Sequence, residues 1–190
     1  SLVGSEMCIR DRYNIGVVVG SLRADSYNLK VAKAITKLFP SNFTFKFINI
    51  ADLPLYNQEA DQNVPAVVAN FKSQIKASDG IIFATPEYNR SMPGVLKNAI
   101  DQGSRPWGDN SWDGIPAGVL GVSIGNISTA IAQQHLRNSL AFLNMPTMNQ
   151  PECYLKWYDG MVDEQDTISP KSKDFLQPWA DNFAKFVIHN

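Results

Sequence analysis

The chain has 190 residues, enough for one domain with a sizeable core and too few for two ordinary ones. Its 17 basic and 18 acidic side chains leave a net charge of −1, without the basic excess that marks a nucleic-acid binder. No apolar run approaches the ~20 residues a bilayer span requires, so no membrane span is expected. Two cysteines, Cys8 and Cys153, sit outside any CxxC pair and read as free thiols of a reducing, cytoplasmic compartment. Two histidines, His135 and His189, lack the companions of a zinc site or a Ser/His/Asp triad, so neither a metal nor a nucleophile is expected.

Residues 1–12, SLVGSEMCIRDR, have neither the basic start nor the apolar middle of a secretory signal. Their pattern does not run into the strand that follows. They are expected to be a loosely ordered leader foreign to the fold, ahead of one domain over 13–190. YNIGVVVG is then a β-branched strand ending in Gly20. SYNLKVAKAITKLF places Leu29, Ala32, Ile35 and Leu38 at helical spacing, with Pro40 as the stop. FTFKFINI alternates as a second strand. A polar loop leads to a helix carrying Val68, Phe71 and Ile75 on one face.

IIFAT is a third strand, PEYNRSMPG a polar loop, and VLKNAIDQG a short helix closed by Gly103. RPWGDNSWDGIP connects to a fourth strand, AGVLGVSIG. TAIAQQHLRNSLAFL is a helix with Ala132, Leu136, Leu140 and Leu143 in register. MPTMNQPECYL reads as the fifth strand, and the last helix aligns Phe175, Trp179, Phe183 and Phe186. Continuously apolar strands alternating with helices mean a parallel sheet covered on both faces. Five of them suit a doubly wound α/β three-layer sandwich in the order 2-1-3-4-5. Ligands bind there beyond the carboxyl ends of the strands, where strand order reverses. The exits flanking that reversal are GSLRADSYN and TPEYNRSMPG.

The first exit offers Ser21 and Ser26 hydroxyls, the Asn28 amide and the forked Arg23 cation at the start of a helix. That set suits one terminal phosphate monoester. The pyrophosphate fingerprint G-x-G-x-x-G and the triphosphate loop G-x-x-x-x-G-K-[ST] are both absent. A plain polar loop with a serine N-cap has the same residues. The third-strand exit could set a planar ring against backbone N–H groups, and SIGNIS after the fourth strand has small residues that admit close approach.

GSLRADSYN, ATPEYNRSMPGVLKNAID and GVSIGNISTAIAQQHLRNSLAFL together resemble the NADPH-dependent FMN reductase family, which includes quinone, chromate and azo-dye reductases. The resemblance spans roughly residues 13–186. It implies a flavodoxin-like fold, non-covalent FMN, NADPH or NADH as co-substrate, and a homodimer or homotetramer. Ser21, Arg23, Ser26 and Asn28 would then hold the phosphate. Pro86, Glu87, Tyr88 and Asn89 would line the ring, with Arg90 continuing that loop and Ser123 and Gly125 bordering ring and ribityl chain.

The implied reaction is a ping-pong transfer of two electrons from NADPH to a quinone, chromate, azo or flavin acceptor. The chemistry lies at flavin N5 and no side chain is an essential nucleophile or base. Two departures stand out: Ser128 replaces the family's usual glycine, and Asp25 puts a carboxylate in an anion loop, where it is expected to face solvent. Arg90 has two uses, attracting an anionic nucleotide or lying at a subunit surface. Trp107 and Trp112 wall the acceptor pocket or pack elsewhere. Two rival functions share the fold: a flavodoxin-type electron carrier, and an interaction module without flavin.

Overall fold

The structure, a computed structural model, describes residues 12–190; the leader expected over 1–12 lies, except for Arg12, outside the described residues. The element order is β1 (Tyr13–Val19), α1 (Tyr27–Thr36), β2 (Phe43–Phe47), α2 (Ala66–Lys76), β3 (Gly80–Ala84), α3 (Gly94–Ser104), β4 (Ala117–Ser123), α4 (Ala130–Phe142), β5 (Tyr154–Lys156) and α5 (Pro170–His189), with one 3-10 turn at Gln58–Gln62. The strands form one parallel sheet in the order β2-β1-β3-β4-β5, as the alternating pattern predicts.

Side chains of the central strands alternate between two cores. Ile15, Val17, Ile82, Leu120 and Val122 pack on one face with Val31 and Ile35 of α1 and Trp179 and Phe183 of α5. Val18, Ile81, Phe83 and Val119 pack on the other with Phe71 of α2, Leu96 of α3 and Leu136 of α4. Both faces are therefore covered, which is why the central strands are apolar without a break. α1 and α3 leave neighbouring strands toward opposite faces, and a crevice opens between their starts. Among the described residues no helix is long and apolar enough to cross a membrane.

Several boundaries differ from those read in the sequence. α1 ends at Thr36, capped by Lys37, before Pro40 can act. β5 is three residues long, and the stretch from Met145 meets β4 before it at a Thr147–Ala117 bridge and at the Cys153 carbonyl, which accepts from Gly121 N–H. The buried face of α5 runs through Leu176, Trp179, Ala180, Phe183 and Val187. Phe175 lies one residue, about 100° of turn, to the side and is exposed. Gly103 does not close α3 but lies inside it. A Cβ there would sit 2.4 Å from Nε1 of Trp112, whose indole is fully buried and donates to the Ile100 carbonyl. Cys153 is a buried free thiol, its pKa pushed up by desolvation, so it stays protonated and inert.

Candidate active site

Three strand exits converge on the crevice. At the first, Gly20 N–H still donates to the Ala84 carbonyl, holding the exits of β1 and β3 together (2.8 Å). Ser26 is the N-cap of α1, and its buried hydroxyl accepts from Leu29 N–H (3.2 Å). Ser21 Oγ accepts from Arg23 N–H (3.4 Å). Arg23 curls over this turn. Its Nε and Nη2 donate to the Asp25 carbonyl (2.9 and 2.5 Å), and Cζ lies 4.7 Å from the Tyr27 ring centroid. Asp25 faces solvent and pairs with Lys30 and Arg23. The Lys30 hydrogen bond, then its charge, holds the Asp25 carboxyl below its ordinary pKa. The carboxylate stays ionised, with the charges of Lys30 and Arg23 beside it.

Asn28 has a different task from the one its spacing suggests. It is buried; its Nδ2 donates to the Val122 carbonyl (2.9 Å) and its Oδ1 accepts from Val122 N–H (3.0 Å). In β4, Gly121 and Ser123 bond toward β5, whereas Leu120 bonds toward β3 through Thr85 N–H. Val122 faces the same way as Leu120, but β3 ends at Ala84 and the chain turns away after Thr85, so no later residue of β3 reaches it. The Asn28 amide thus stands in for the missing strand and fastens the start of α1 to β4. The side chains of this exit that are not tied to β4 are those of Ser21, Arg23 and Ser26.

At the second exit Pro86 is buried and Glu87 turns inward, its side chain only 7% exposed. Its Oε2 accepts from the N–H groups of Ile131 and Ala132 (3.1 and 3.0 Å). Thr129 gives α4 no side-chain cap, so Glu87 supplies the missing acceptor and a charge complementary to the helix dipole. Glu87→Gln is expected to destabilise the flavin-free chain by about 0.5–1.5 kcal/mol, read as a melting point lower by roughly 1–6 °C. Tyr88 and Ser91 exchange two backbone hydrogen bonds (2.9 and 3.0 Å) around Asn89 (φ 52°) and Arg90 (φ 64°). Two successive positive φ angles make this a type I′ turn, with Arg90 at the second central position. Arg90 Nη1 lies 3.4 Å from Glu87 Oε1, and Ser91 Oγ shares a hydrogen bond with His135 Nδ1 (2.9 Å).

At the third exit Ser123 Oγ donates to the Ser128 carbonyl (3.1 Å) and accepts from Gly125 N–H (3.2 Å). Ser128 sits at φ 55°, in the left-handed region that favours glycine. Its hydroxyl donates to the Leu155 carbonyl (2.5 Å), a bond to β5 that a glycine lacks. A Cβ on Gly125 would meet only Ser123 Oγ at 3.6 Å, so the surface there is open to close approach. Gly121 is needed for packing instead, since a Cβ would fall 2.3 Å from the Thr85 carbonyl oxygen.

Glu87, Arg90, Ser123, Gly125, Ile127 and Ser128 border one cavity of about 460 Å³. Large apolar side chains are exposed on all three exits: Leu22, Tyr88, Ile124 and Ile127. A larger cavity, about 780 Å³, opens at the opposite pole between Arg105, Trp107 and Phe142. It lies where α3 ends and the chain enters β4, away from every strand exit. Trp107 belongs to that pole and Trp112 to the core, so neither walls the crevice.

The sequence matches the profile of the family described as NADPH-dependent FMN reductase over residues 13–158. The chain belongs to the NADPH-dependent FMN reductase family. A 2-hydroxy-1,4-benzoquinone reductase from a Burkholderia species is 50% identical over 174 residues, 91% of this chain and 95% of that one. A quinone reductase of Pseudomonas putida is 46% identical over 176 residues, 92% of this chain and 95% of that one. The flavoenzyme NAD(P)H:(acceptor) oxidoreductase FerB from Paracoccus denitrificans superposes with a TM-score of 0.88 at 40% identity, covering 92% of this chain and 97% of FerB. The fold is accordingly flavodoxin-like. The chain is an oxidoreductase working with FMN and NAD(P)H.

The crevice of this FMN reductase has the chemistry its cofactor needs. Two hydroxyls and a guanidinium at a helix start suit a phosphate dianion. Exposed apolar side chains and an open Gly125 suit a flat ring. Two neighbours of Arg23 escape a reading of spacing alone. Tyr27 stands inside the first motif, but its stacking partner is Trp157, just past β5 (centroids 4.2 Å apart, 17° between planes).

Proposed function

We propose that this chain is an NAD(P)H:quinone oxidoreductase that transfers two electrons by a ping-pong cycle at one site, the crevice of the three strand exits. FMN held there would supply the two-electron redox chemistry between nicotinamide and acceptor. Ser21, Arg23 and Ser26 hold the phosphate, and Asn28 anchors their turn to β4. Pro86, Glu87, Tyr88 and Asn89 would border the ring and offer it backbone hydrogen-bonding groups. Ser123 and Gly125 leave room for the ring and ribityl chain. Arg90, exposed at the cavity rim, is placed to meet an anionic nucleotide. The protein's contribution is position and electrostatics; no side chain is required as a nucleophile.

The observation that carries this reading is the convergence of phosphate-type donors with an open, partly apolar cavity at the strand-order reversal. Quinone is the favoured acceptor because the relatives at 50% and 46% identity are named for quinones. Chromate, azo dyes and free flavin ask for the same open ring face. Self-association as a homodimer or homotetramer belongs to the same reading, supported by Trp107 and Phe142, exposed on one rim of the opposite pole. A cytoplasmic location agrees with a nicotinamide donor and a free thiol.

Anaerobic stopped-flow mixing tests the assignment. NADPH or NADH alone is expected to bleach the yellow protein, and a quinone to restore its colour in a second mix. Steady-state lines at several quinone concentrations are expected to be parallel. Colour that persists with both nucleotides would instead support a flavodoxin-type carrier. Intersecting lines would replace the ping-pong cycle with a ternary complex.

A further inference from the structure

The guanidinium of Arg23 does not stand alone. It lies over Tyr27, and the face of Tyr27 stacks on Trp157. Lys30 Nζ flanks both rings, 5.9 Å from the centroid of Tyr27 and 5.8 Å from that of Trp157. Trp157 is itself fixed: its N–H donates to the Ser123 carbonyl (2.8 Å), continuing the β4–β5 ladder one residue past Lys156. A residue on the fifth-strand exit is thereby joined, through one ring, to the cation of the first.

We propose that Trp157 is a positioning residue for the cofactor phosphate, acting through Tyr27 to hold the Arg23 guanidinium over the start of α1. The inference rests on FMN phosphate binding at the β1 exit. Arg23 is a long side chain, 54% exposed, which in solution samples many rotamers. The Asp25 carbonyl takes Nε and Nη2, and Tyr27 supports the flat face of the fork. The guanidinium's hydrogen bonds to described residues are made by Nε and Nη2, which leaves Nη1 for a phosphate oxygen. Ordering the cation before binding removes an entropic cost that would otherwise fall on the cofactor. Only a ligand carrying the phosphate benefits.

That selectivity gives a test separate from general damage. Dissociation constants of FMN and of riboflavin, which lacks the phosphate, are measured by flavin fluorescence on the full chain freed of flavin. The parent is expected to prefer FMN. Trp157→Ala is expected to weaken FMN roughly three- to tenfold and to leave riboflavin within about twofold, with Trp157→Phe retaining the parent's values. In an Arg23→Ala background, Trp157→Ala is expected to cost FMN nothing further. Tyr27→Leu provides an independent route to the same FMN-selective loss should Trp157→Ala fold poorly. Equal losses of FMN and riboflavin in either variant, or unchanged FMN binding, would overturn the positioning role. A parent that binds both flavins equally would instead overturn the phosphate site itself.

Discussion

Replacing Arg23 with alanine is expected to weaken FMN binding by roughly ten- to a hundredfold, the loss of a charge-assisted contact to a dianion. Arg23 is the cation of the donor set; Ser21 and Ser26 contribute neutral hydroxyls, and Asp25 sits closer to Lys30 than to Arg23. Arg23→Lys should recover part of the loss, because an ammonium keeps the charge without the planar fork or its fit over Tyr27. The loss should shrink as salt is raised, since the contact is partly exposed. Melting of the flavin-free chain should hardly change, because Arg23 bonds only within its own turn. A fluorescence titration at fixed ionic strength measures the effect; parent-like retention of FMN would remove Arg23 from the site.

Asn28→Ala should act on the fold first, destabilising the flavin-free chain by about 2–4 kcal/mol. The estimate follows from two buried hydrogen bonds lost at once and from a Val122 N–H and C=O left without partners in the core. Asn28→Asp distinguishes this account from a role at the phosphate. A carboxylate can still accept from Val122 N–H but sets an oxygen against the Val122 carbonyl, so it should destabilise even in the absence of flavin. Urea denaturation reads both. If Asn28→Ala melts like the parent and loses only FMN, the asparagine is a cofactor ligand after all.

These two residues show where sequence is legible and where it is not. The parallel, doubly covered sheet follows from alternation, because a strand buried on both faces must be apolar throughout and a parallel connection needs a helix. Arg23 and Ser26 are legible in the same way: their role is local to one strand-to-helix turn. Asn28 lies in that turn too, yet its partner is Val122, 94 positions along, on a strand separated from β1 by β3. No local spacing reports a side chain that extends another strand's ladder. Glu87 has the same character, reaching the start of α4 from the β3 exit.

Trp157 carries no signal at all until β5 is in place. β5 is shorter than MPTMNQPECYL suggests, because only Tyr154–Lys156 pair with β4 as a strand. Gly103 illustrates the converse error. A glycine near a helix end suggests a stop, but this one makes room for the Trp112 indole. Ser128 adopts a left-handed backbone that glycine tolerates better, and its hydroxyl bonds to the Leu155 carbonyl.

The most direct measurement of the central claim is a crystal structure of the chain grown with FMN. The phosphate is expected at the start of α1, within hydrogen-bond distance of Ser21, Arg23 and Ser26, with the ring over the cavity between Glu87 and Gly125. A flavin whose phosphate lies elsewhere, with that corner facing solvent, would contradict the account.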